Sequence, residues 1–156
     1  MSASSFEIKL TTPVSDIMSA FTQSEETIKR TLLQVYRYVG EACVKEAREN
    51  GNYKDQTGNL RSSIGYAVLM DGAVVEQHNP EQGPRGTDKS TGTQTGASYL
   101  RQLIADESFS KGIVLIVSAG MNYAAYVEAR YNYVVLSSAE QKAPSMVKEI
   151  LNKVMT

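Results

Sequence analysis

The chain of 156 residues has one cysteine, Cys43, and one histidine, His78. A lone cysteine excludes a disulfide within the chain. With a lone histidine it also excludes a zinc site built from several Cys and His ligands. Positive charge is not in excess: 16 Lys and Arg face 17 Asp and Glu, for a formal net charge of −1. That balance counts against a dedicated nucleic-acid binder, which shows a basic surplus. No apolar run approaches the roughly eighteen residues of a membrane span, the longest being 113–117. The first twenty residues lack a basic start followed by an apolar block and do not read as a signal peptide. A chain kept in a reducing cytoplasm, with no membrane partner, is the expectation. What is present is ordinary for a globular protein: 42% hydrophobic and 21% charged residues, at a length that suits one domain over residues 1–156.

Phe6, Ile8 and Leu10 alternate with Glu7 and Lys9, as an edge or hairpin strand requires. Val14, Ile17, Met18 and Phe21 suggest a short amphipathic helical turn. The strongest pattern spans residues 24–50, where Ile28, Leu32, Val35, Val39, Ala42, Cys43 and Ala47 recur at intervals of three and four. That is one face of a helix. Ser24 suits the cap, Glu25 and Glu26 the positive end of the dipole, and Asn50 with Gly51 the stop. A helix of some twenty-five residues is a rod of about 38 Å. It must cross a whole sheet or project into a partner, with Tyr36 and Tyr38 flanking its apolar stripe.

Asp55 or Thr57 can cap a short turn, and Gly58 permits a backbone that a side chain resists. Residues 62–78 read as a β-hairpin turning at Asp71-Gly72. Residues 79–98, NPEQGPRGTDKSTGTQTGAS, hold almost nothing apolar and read as a long polar loop. Tyr99, Leu100, Leu103 and Ile104 then suggest a short helix. Residues 113–120 form a buried strand and 131–136 a further one. A closing helix carries Met146, Val147, Ile150, Leu151 and Val154. Ser137 and Glu140 have capping-box spacing, and Pro144 marks a start or kink. Strands close in sequence favour antiparallel pairing. The fold class expected is α+β, a long N-terminal helix and a C-terminal helix on one face of a small antiparallel sheet.

The chemistry-bearing residues form no catalytic constellation. In residues 83–90, GPRGTDKS, the lysine does not follow the second glycine as a phosphate loop requires. His78, at a strand end beside Asn79 and Pro80, lacks an orienting partner and a nucleophile and reads as a surface histidine. Cys43, on the apolar helix face, reads as a small buried hydrophobe. Ser62 and Ser63 lack the Gly-x-Ser-x-Gly context of a nucleophile elbow. Glu25 with Glu26, and Asp106 with Glu107, diverge on a helix and read as solvated charges. Tyr123, Tyr126, Tyr131 and Tyr133 suit core packing or a subunit interface equally. Base stacking would need interleaved basic residues, and only Arg130 is near. No catalytic residue, cofactor or metal ligand is expected. Arg85 and Lys89 are the candidate partner contacts of the polar loop.

Two segments carry a resemblance: TGNLRSSI at 57–64, after the long helix and before a strand, and YAAYVE at 123–128, after a buried strand. In this order the pair resembles the tail-component family of tailed bacteriophages, whose members join head to tail or complete the tail. The likeness covers most of residues 6–156 in layout and those two segments in sequence. It implies structural roles for Thr57, Gly58, Leu60, Arg61, Ser63 and Ile64, and for Tyr123, Ala124, Tyr126, Val127 and Glu128. Leu60 and Ile64 are the implied core anchors. Arg61 is expected to hold a backbone carbonyl or a carboxylate, with Glu128 as candidate partner. The chain departs from the family after Glu128: Ala129, Arg130, Tyr131 and Asn132 stand where the family has Phe-Gly-Thr and a proline-rich segment. The polar loop is also enlarged. The function implied is a non-enzymatic virion assembly protein. It would form a homo-oligomeric ring, bind neighbouring connector or tail proteins, and recognise no specific nucleic acid. The host cytoplasm during assembly and then the virion would be its locations. The alternative is a small bacterial ligand-binding or regulatory module whose polar loop orders on a partner.

Overall fold

A computed structural model describes residues 3–11, 17, 25–131 and 135–155. Within them lie β1 (Ser4–Lys9), α1 (Glu25–Glu49), α2 (Asn59–Ser62), β2 (Ile64–Met70), β3 (Ala73–His78), α3 (Ser90–Ile104), a 3₁₀ turn (Glu107–Phe109), β4 (Ile113–Ala119), α4 (Ala124–Tyr131) and α5 (Ser137–Met155). The four strands form one antiparallel sheet in the order β1-β4-β2-β3. The class is α+β, as the sequence pattern predicts. No described helix is long and apolar enough to cross a membrane.

β4 lies at the centre because it is apolar on both sides. Val117 sits between Phe6 of β1 and Tyr66 of β2, and all seven β4 residues are buried. Alternation divides the strands between two cores. Ile113, Leu115 and Val117, with Ile64, Tyr66 and Val68, pack under α1 and α5. Val114 and Ile116, with Ala67 and Leu69, pack against Leu100 of α3 and Phe109. α1 lays Ile28, Leu32, Val35, Tyr36, Val39, Cys43 and Ala47 onto the first core, the stripe its spacing predicts. Of the flanking tyrosines, Tyr36 is buried and Tyr38 stands 62% exposed. The hairpin turns at Asp71 (φ 49°) and Gly72 (φ 86°), the paired positive angles of a tight hairpin turn. A bulge at Val75 leaves Leu69 opposite Val74 and Val68 opposite Glu76.

Four sequence expectations need correction. The polar loop does not run to 98, because residues 90–98 are the first turns of α3. Low helix propensity is overridden by close packing. A Cβ on Gly92 would collide with the Asn59 carbonyl oxygen, and one on Gly96 with that of Ser63. The helices do not all share one face: α1 and α5 cover one side, as expected of the long N-terminal and the C-terminal helix, while α3, whose second half is the short helix expected from Tyr99 to Ile104, covers the other. Residues 131–136 are not a strand where described, for Tyr131 ends α4 and Val135 with Leu136 form a bend. Those two residues are buried because the chain dips into the core between helices. Of the start or kink expected at Pro144, the start is corrected: α5 begins at Ser137 and runs through the proline, which is solvent-facing and offers no amide to the carbonyl one turn earlier. Of the helical turn expected from Val14 to Phe21, only Ile17 lies among the described residues.

Candidate functional site

The two segments that carry the resemblance meet at one corner of the molecule. α1 ends at Glu49, and the chain must turn back to start β2. Carbonyls at a helix end lack intrahelical donors. Arg61 supplies them: its Nε donates to the Arg48 carbonyl at 3.0 Å, and its Nη2 to those of Gly51 and Tyr53 at 2.9 and 3.2 Å. The guanidinium lies over the Tyr53 ring, 4.4 Å from its centre. Asp55 caps α2, accepting from the Leu60 and Arg61 amides at 3.4 and 2.8 Å. Thr57 Oγ1 accepts from the Asn59 amide. Gly58 holds φ 78° immediately before α2, a conformation open to glycine. Leu60 and Ile64 are buried, the core anchors that the resemblance implies. Ser63 Oγ donates to the Leu60 carbonyl at 2.7 Å.

Glu128 does for α5 what Arg61 does for α1. Its Oε1 accepts from the amides of Val135, Leu136 and Ser137 at 3.0, 2.6 and 2.8 Å, and its Oε2 from Ser4 Oγ at 3.1 Å. A carboxylate at a helix N-terminus satisfies orphan donors and the dipole together. The expected Arg61–Glu128 pair is therefore corrected: Arg61 holds carbonyls, and Glu128 holds amides and a hydroxyl. Each is consumed by a different chain reversal. Ala124 is fully buried in α4, Val127 is half-buried, and Tyr126 belongs to the same helix. Tyr123 bonds Thr57 across the corner. Burial raises its phenol pKa, the Asp55 charge adds to this, and the Thr57 bond opposes it. Lys54, Asp55, Thr57, Leu60, Tyr123 and Val127 line a cleft of about 300 Å³, so both segments contribute to one concavity.

The polar loop, now residues 79–89, is built onto this corner. The Thr87 and Asp88 amides donate to the Gln56 and Thr57 carbonyls at 3.2 and 2.9 Å. The Gly83 amide donates to Ser62 Oγ at 2.9 Å, and Arg48 Nη2 to the Glu81 carbonyl at 3.0 Å. Asn59 bridges to α3, its Nδ2 donating to Asp88 and its Oδ1 accepting from the Gly92 amide. Asp88 caps α3 through Ser90 and Thr91. Arg85 is exposed and Lys89 half-buried on this pinned arch. Sequence reasoning missed Asn59, Arg48 and Asp88. Only Asp88 carried a local signal, an aspartate three residues before Thr91 at a helix start.

His78 is half-buried rather than a free surface residue. Its ring stacks on Tyr66 at 5.7 Å, and its Nδ1 lies 3.1 Å from Glu41 Oε1, which also accepts from Tyr66 Oη at 2.9 Å. Cys43 is buried on α1, and burial with the nearby Glu46 charge pushes its thiol up to about 12. That leaves it a hydrophobe at neutral pH. Among the described residues no group of three His, Cys, Asp or Glu side chains is placed to hold a metal. No protein-family model, curated protein or solved structure matches the chain.

Proposed function

We propose that the chain is a non-enzymatic virion assembly protein of a phage or prophage. It acts in head–tail joining or tail completion as a homo-oligomeric ring that docks onto connector or tail proteins. It works in the host cytoplasm during assembly and then in the virion. The observation that carries the reading is the use made of the two resemblance segments. Arg61 and Glu128, their charged residues, are spent on closing chain reversals, and Leu60, Ile64 and Ala124 on the core. Segments spent on architecture suit a protein whose work is done by surfaces. Near-neutral charge suits a ring that DNA passes without adhering.

The genes flanking its own test the reading. Portal, capsid and tail-tube genes alongside are the expected result, and a neighbourhood without any of them overturns it. Deleting the gene from such a phage is expected to leave filled heads and free tails in negative-stain micrographs. Normal yields of joined, infectious particles would refute the role.

A further inference from the structure

The corner described above also carries a set of unpaired charges. The side chains of Lys54, Arg85 and Lys89 have no hydrogen-bond or ion-pair partner among the described residues, and the two aspartates beside them turn their oxygens onto neutral amides and hydroxyls rather than onto a cation. Asp55 is spent on the Leu60 and Arg61 amides. Asp88 is spent on Asn59, Ser90 and Thr91. The backbone brings Arg85 and Lys89 together beside Gly58, on the same 54–58 segment that carries Lys54. Residues 87 and 88 donate to 56 and 57, and a Cβ on Gly58 would meet the Arg85 carbonyl oxygen and lie 2.8 Å from Lys89 Cγ. Lys54 lies on the rim of the cleft, whose floor includes the apolar Leu60 and Val127 and the Tyr123 ring. The arch that displays Arg85 is already fixed at residues 81, 83, 87 and 88, so little ordering entropy remains to be lost on binding.

We propose that this corner docks an acidic segment of a partner protein. One apolar side chain of the segment enters the cleft, and flanking carboxylates meet Lys54, Arg85 and Lys89. Charge complementarity selects the sign of the partner, and the apolar floor selects a peptide over a nucleic-acid backbone. The choice of a protein partner rests on the assembly reading; the cations and the cleft do not.

The test uses the full chain and three labelled probes, read by fluorescence anisotropy at low salt: an octapeptide of alternating leucine and glutamate, an octapeptide of glutamate alone, and a short single-stranded DNA. The alternating peptide is expected to bind saturably and more tightly than either other probe. Its affinity should fall about tenfold or more in K54E/R85E/K89E. A similar loss is expected in Q56W, because Gln56 also lines the cleft and the substitution puts an indole there while leaving the charges intact. Circular dichroism identifies any variant that fails to fold, and single charge reversals then replace it. No saturable binding, DNA binding at least as tightly, or variants that bind like the parent would each overturn the proposal. Ring formation and virion joining are scored separately. Lost peptide binding with intact rings removes this docking site alone, and peptide binding without rings removes the assembly reading alone.

Discussion

The two faces of the sheet are closed by opposite means. On one face, α1 brings large side chains, and Val35, Tyr36 and Val39 fill the space above β2 and β4. On the other, α3 approaches by having almost none: Gly92 and Gly96 lie directly on the backbone of residues 59 and 63, and Gly120 on Gly96 itself. The first face is held by buried apolar area. The second combines a small apolar cluster around Leu100 and Phe109 with close backbone contact and side-chain bonds from Asn59 and Asp88. A periodic pattern advertises the first arrangement and conceals the second.

The contrast makes the faces sensitive to opposite changes. Leu115→Ala, under α1, removes volume from a fully buried site and is expected to cost about 2–5 kcal/mol. Chemical denaturation should show a lower midpoint with an unchanged slope. Arg61→Ala strips three carbonyls of a charged donor and is expected to cost about 2–3 kcal/mol. Combined with Glu128→Ala in a double-mutant cycle, it should add within about 0.5 kcal/mol, because the two side chains serve different reversals. A larger coupling would restore the direct pair. Gly96→Ala gives the sharpest contrast of sign. In an open helix this change stabilises by up to about 1 kcal/mol. Here the added methyl meets backbone that no rotamer can clear, so a loss of about 1–3 kcal/mol is expected. A gain in thermal midpoint would show that the second face is loosely closed.

What was legible in the sequence follows the same division. The α1 stripe, the hairpin expected over 62–78 (found over 64–78, since Ser62 ends α2) and the central apolar strand declared themselves, the first two by the period of their elements and the third by an unbroken apolar run. Of α3 only the second half did, through Tyr99, Leu100, Leu103 and Ile104; residues 90–98 did not, because Gly, Ser and Thr look alike in a solvated loop and in a helix packed backbone to backbone. The run 131–136 misled for the converse reason: Val135 and Leu136 are apolar because they cross the core, and three amides bound to one Glu128 oxygen turn the chain there. At the corner, Asp55 was foreseeable as a cap from its position before a short turn. The Arg61 contacts were foreseeable only as a type, a carbonyl or a carboxylate, since a guanidinium fits both. Asn59 was invisible, because its partners Asp88 and Gly92 are set by where α3 lies.

A polar seam joins α1 to α5, and its pH dependence is the smallest effect expected. Glu46 Oε1 accepts from Lys142 Nζ at 2.6 Å and Ser138 Oγ at 2.8 Å, and its Oε2 accepts from Asn50 Nδ2 at 2.6 Å. The Lys142 bond first, then those of Ser138 and Asn50, hold the carboxyl at about 2 against an ordinary 4.5. A pKa lowered by folding means that the unfolded chain binds the proton more readily. The seam therefore contributes fully above pH 4.5, and its contribution drains away as pH falls from there toward 2. Lys142 is 59% exposed, so solvent screens the pair and its worth is below about 1 kcal/mol. Glu46→Gln should leave a shallower acid limb in the stability–pH curve, measured by urea midpoints, and should remove most of its salt dependence over that window. Gly96→Ala should leave the shape of that limb unchanged, because α3 contributes nothing to this seam. A parallel change in both variants would show that the two faces unfold through a common electrostatic step.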